Sequence, residues 1–83
     1  MQIGDIFYIF SPGDGTVKIM ITRVMTLPFF VHAQDNEGNL YTYINRYNWE
    51  RNGKTYYILD ENYDIIDPKC IYNYKNNTRI IQT

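Results

Sequence analysis

Turn-forming residues interrupt this chain so often that mostly short runs are left between them. Ser11-Pro12-Gly13-Asp14-Gly15, Pro28, Asp35-Asn36-Glu37-Gly38-Asn39, Asn52-Gly53, Asp60-Glu61-Asn62 and Pro68 punctuate 83 residues. Isolated helices need about 12–15 residues even in favourable sequences, and Gly and Pro are the strongest local breakers. The runs themselves are rich in Ile, Val, Thr, Tyr and Phe, which suit pleated, half-buried surfaces. Alanine, the best helix former, occurs once, at Ala33. The sequence therefore predicts an all-β chain.

The strands can be placed by period-two alternation. Ile6-Phe7-Tyr8-Ile9-Phe10 is the first. Thr16 to Met25 is the second, with Val17, Ile19 and Ile21 inward and Lys18, Met20 and Thr22 outward. Phe29 to Gln34 and Leu40 to Asn45 follow, the latter setting Leu40, Thr42 and Ile44 against Tyr41, Tyr43 and Asn45. Asn52-Gly53 is a strong two-residue hairpin signal ahead of a strand from Lys54 to Leu59. A further strand is expected over Tyr63 to Ile66 and a closing one over Arg79-Ile80-Ile81, with Cys70 to Tyr74 either a strand or a short helical turn. Five to seven short antiparallel strands in residues 1–83 make one small, partly open barrel domain.

The segment Ile3-Gly4-Asp5-Ile6-Phe7-Tyr8, followed by a turn and a long strand through Ile21-Thr22-Arg23-Val24, resembles the start of small SH3-like β-barrels. It is similar to the Gly-Asp-x-Val opening of the KOW and Tudor-like groups. The likeness covers about the first half of the chain and implies a strongly bent barrel that binds partners through its loops and one open face. It assigns no functional residue. An OB-like barrel is the alternative on the same pattern.

Size and charge narrow the function. One cysteine excludes a disulfide framework and a cysteine-rich zinc site. Eight basic against nine acidic residues give a net charge of −1, with no bulk drive toward nucleic acid or an anionic membrane. No apolar run approaches a membrane helix, and Met-Gln-Ile-Gly-Asp lacks the basic start of a secretory signal, so a cytoplasmic location is expected. His32, Cys70 and Ser11 are each the single residue of their type, without a local catalytic signature around any of them. The acidic run Asp60, Glu61, Asp64 and Asp67 and the Asp35–Asn39 loop coincide with turns, where Asp and Asn cap the backbone. No catalytic group, cofactor or metal site is expected.

Aromatic residues make up 17% of the chain, more than one small interior can hide, and several strands carry apolar or aromatic side chains on both faces. Tyrosine gives large contact area at low entropic cost and is enriched in interface cores. Either these rings form an interface or the C-terminal segment wraps the barrel and covers them. The first reading points to a non-enzymatic module that binds a protein partner through Tyr41, Tyr43, Tyr47 and Trp49, oriented by Arg46 and Arg51. A second copy of the chain is a further candidate partner. The abundance of Ile, Asn and Tyr, residues of A/T-rich codons, fits a small phage or mobile-element protein that inhibits a host defence protein. The alternative is a single-stranded nucleic-acid or nucleotide binder in which Arg46, Arg51 and Lys54 flank the same rings.

Overall fold

A computed structural model describes residues 1–70 and the backbone of residues 72–73 and 78–79. Six antiparallel strands close into a barrel: β1 (Ile6–Ser11), β2 (Gly15–Thr26), β3 (Phe29–Gln34), β4 (Leu40–Asn45), β5 (Asn48–Arg51) and β6 (Lys54–Ile58). Each strand pairs with its neighbours in sequence, and β6 returns to β1 through Ile9↔Ile58 and Phe10↔Tyr57. That seam closes a barrel that the sequence pattern left partly open. The meander order is consistent with a small SH3-like barrel. Two further short strands, β7 (Tyr72–Asn73) and β8 (Thr78–Arg79), pair with each other, and among the described residues with no other strand. The rest of the expected closing strand, Ile80-Ile81, and the question of a C-terminal wrap beyond residue 70 lie outside the described residues.

Alternation delivers the core as expected in the first part of β2, where Val17, Ile19 and Ile21 turn inward. Ile9, Ile19, Ile21, Val31, Ala33, Tyr41, Trp49, Tyr56 and Ile58 form the core, with Phe7, Val17, Val24 and Tyr43 packed alongside. In β2 the inward phase changes partway. Ile21 faces Ala33 and Arg23 faces His32, so Thr22 is the extra residue of a β-bulge. Odd residues point inward below it, and Val24, paired with Val31, points inward above it.

Two expectations change. β5 has no apolar alternation to announce it, yet Asn48–Arg51 pairs with both β4 and β6 and delivers Trp49 to the interior. The strand expected over Tyr63–Ile66 is instead a turn with one isolated bridge, Leu59↔Ile65. Its cause is Asp60, whose carboxylate accepts the backbone N–H groups of Asn62 (2.8 Å) and Asp64 (3.0 Å), while Tyr63 takes φ 62°. The segment after β6 then lies against the outer side of β1 and β6. Leu59 N–H donates to the Tyr8 carbonyl, Tyr63 meets Tyr8 edge-on at 5.6 Å, and Phe10, Leu59 and Cys70 are buried. Part of the aromatic surplus is thus hidden by the chain itself.

Candidate functional site

An up-and-down barrel sends alternate hairpins to opposite ends. The β1–β2, β3–β4 and β5–β6 turns gather at one end, and the β2–β3 and β4–β5 turns at the other. The two ends differ in chemistry.

The first end is a polar network. Asp35 sits in its loop as a backbone cap, accepting from the N–H groups of Glu37 (2.9 Å) and Asn39 (3.0 Å), the Asn39 side-chain amide (3.0 Å) and the Tyr41 hydroxyl (2.9 Å). Arg51 Nη2 donates to Asn39 Oδ1 at 2.9 Å, and its guanidinium lies 5.8 Å from the Tyr41 ring centre. Asp14 accepts from the Tyr56 hydroxyl and pairs with Lys54 at 3.3 Å. Burial opposes ionisation of Asp35, but the bonds from Asn39, Tyr41 and Glu37 outweigh it and hold the carboxyl below its usual range. The bonds from Tyr56 and then Lys54 do the same for Asp14. Burial first, and then the partner carboxylate, push the phenols of Tyr41 and Tyr56 upward. A cleft of about 450 Å³ opens here, lined by residues that include Lys18, Glu37 and Asn36. The Asp14 and Asp35 carboxylates accept from side chains and backbone around them, so this end reads as a structural clasp for three turns.

The second end is apolar and aromatic. Rings run from solvent to the core: Phe29 contacts Tyr43 edge-on at 6.2 Å, Tyr43 contacts Trp49 at 5.5 Å, and Trp49 contacts Phe7 at 5.8 Å. Around them Leu27 is 92% exposed, Phe29 60% and Ile44 52%. Arg46 stacks on Tyr47 at 4.8 Å in the β4–β5 turn, whose Tyr47 N–H donates to Asn45 Oδ1 at 2.8 Å.

The expected contact residues divide among these places. Trp49 is 0% and Tyr41 2% exposed, which corrects their assignment as surface contacts. The register explains it: Tyr43 pairs with Trp49 and Trp49 with Tyr56, so all three share the interior face with Tyr41. Arg51 belongs to the polar clasp, with Lys54 beside it. Tyr43, half-buried, and Arg46 and Tyr47 belong to the apolar end. The basic cluster required for nucleic-acid contact is therefore not one surface, because Arg46 lies at one end of β5 and Arg51 and Lys54 at the other. His32 stands on β3 against Phe30 at 4.9 Å, while Cys70 is buried in the segment following β6. Among the described residues no three His, Cys, Asp or Glu side chains come together as metal ligands.

Leu27, Phe29 and Ile44 were not singled out from the sequence. The signal was present in Leu27-Pro28-Phe29, apolar residues on both sides of a turn, where polar residues are usual. No protein-family model, curated protein or solved structure matches this chain.

Proposed function

We propose that this barrel is a non-enzymatic module that docks another protein through its apolar end. The observation that carries the reading is the group Leu27, Phe29 and Ile44 held in solvent around the half-buried Tyr43. A large aromatic side chain buries about 150–250 Å² when covered, and contiguous exposed apolar surface on a small domain marks interaction sites. Arg46, stacked on Tyr47, supplies a cation at the rim, where charge orients a partner more than it binds one. The KOW- and Tudor-like opening of the sequence accords with a binding role. A small inhibitor of a host protein, encoded by a phage or mobile element, accords with the A/T-rich coding.

The test compares the wild-type chain with a Leu27→Ser, Phe29→Ser double variant as bait in lysate of the natural host. Leu27 is almost wholly exposed and Phe29 mostly so, and circular dichroism is therefore expected to stay native, with a modestly lower melting temperature from the lost Phe29–Tyr43 contact. The partner captured by the wild type is expected to be lost by the variant. Equal capture by both proteins removes this end from consideration.

A further inference from the structure

Above the Thr22 bulge, β2 and β3 continue as a two-stranded ribbon. Pairing of β1 with β2 ends at Ile6↔Met20, and the Gly4–Asp5 backbone reaches only Ile21. Pairing of β3 with β4 ends at His32↔Thr42. Among the described residues, Thr22–Thr26 therefore has a strand neighbour on one side alone, with β3 on that side. Two-stranded ribbons are marginal in water, whereas three or more strands are stable, and an open edge is a template for another strand. The Thr22-Arg23-Val24-Met25-Thr26 edge contains no proline or lysine to block pairing. Its one charge, Arg23, is drawn onto the outer face, 5.2 Å from the Phe30 ring centre.

We infer that a second copy of this chain pairs antiparallel with that edge about a two-fold axis at Val24, joining two ribbons into a four-stranded sheet in the order β3–β2–β2–β3. A two-fold pairing must set each residue opposite one that points to the same face, so the axis falls on a residue. An axis at Arg23 would oppose two guanidinium groups, which is unfavourable. An axis at Met25 would set Arg23 against Leu27, which lies in the turn beyond the end of the strand. The Val24 axis sets Val24 against itself, Arg23 against Met25 and Thr22 against Thr26. It uses the whole edge without a like-charge contact. This inference concerns the ribbon's edge rather than the Leu27–Phe29 tip, so it stands or falls separately from docking of a foreign protein.

Sedimentation equilibrium from micromolar to millimolar chain, combined with amide hydrogen exchange, tests it. The expected result is a concentration-dependent dimer in which exchange slows across Thr22–Thr26. Met25, half-buried on the outer face, provides a register-specific check. In the dimer each residue 25 faces Arg23 of the other copy, and symmetry makes two such pairs. Met25→Glu is expected to tighten the dimer and Met25→Lys to weaken it, each by about two- to thirty-fold. Circular dichroism establishes that both variants fold. A monomer at every concentration overturns the inference, as does a dimer protected elsewhere or a shift in the same direction for both variants.

Discussion

Trp49 offers the sharpest test of how the interior is built. Its side chain is fully enclosed between Phe7 and Tyr43, yet among the described residues its indole N–H has no hydrogen-bond acceptor. Two opposing quantities then govern its replacement. Removing the whole side chain with Trp49→Ala is expected to cost about 3–5 kcal/mol, a large part of the roughly 4–12 kcal/mol that a domain of this length has in total. Trp49→Phe removes fewer atoms. The lost packing is about 2 kcal/mol at ~0.8 kcal/mol per buried carbon, but the substitution also removes an unsatisfied buried donor, which alone costs about 1–3 kcal/mol. The two terms nearly cancel. Thermal melting by circular dichroism should therefore fall by about 12–40 °C for Trp49→Ala, or show no folded state, and change by less than about 8 °C for Trp49→Phe. Comparable losses in both variants would refute the reasoning, because they would mean that the indole N–H makes a bond worth keeping.

Acid should weaken the fold through the polar end. Asp14 and Asp35 titrate below their usual 3.8 when folded, so their contribution is present above that pH and is lost as pH falls through the lowered values. In urea titrations Asp35→Asn should be less stable than wild type near neutrality, and the gap should close in strong acid; a gap that stays constant contradicts the assignment. On the alkaline side Tyr41 and Tyr56 sit above their usual 10.0, so their contribution is full below that pH and declines as rising pH ionises them. Phenolate absorbance should show a component ionising above pH 10 in step with unfolding, and a Tyr41→Phe, Tyr56→Phe variant should lack it. At the β5–β6 turn Asn52 and Gly53 both have positive φ, 52° and 77°, as a type I′ hairpin requires. A Cβ at Gly53 meets nothing within 4 Å, so Gly53→Ala isolates backbone strain of about 1–2 kcal/mol; an unchanged melting temperature would mean that the turn relaxes.

Much of the barrel was readable because its turns announce themselves. Asn52-Gly53 states its own geometry, and Asp35 leads a loop that its carboxylate caps. Alternation alone put Tyr41 and Tyr43 on one face, but it could not say that this face is the interior. That follows only from pairing with Trp49, on a strand whose Asn-Trp-Glu-Arg sequence carries a single apolar residue. The Thr22 bulge was equally hidden, since an inserted residue changes phase without changing composition. The Tyr63–Ile66 segment looked extended because its apolar residues alternate acceptably, and the deciding contact is a side-chain carboxylate three residues upstream. The apolar end is less legible for a different reason: Tyr and Trp are the residue types enriched at interfaces, while the exposed surface there is mainly Leu, Ile and Phe.

The junction of β1 with β6 is only two residue pairs long, yet it alone turns a ribbon into a barrel. Among the described residues every other strand pairing joins chain neighbours and can grow one hairpin at a time. Bringing Ile9 to Ile58 closes a loop of about fifty residues, at an entropic cost of roughly 3–4 kcal/mol beyond a constant. The turn after β6 acts as a latch across this joint, since Leu59 bonds to the Tyr8 backbone and Tyr63 lies on the Tyr8 ring. Closure also seals the indole away from water, which makes the fluorescence of this single tryptophan a built-in reporter of the final step of assembly.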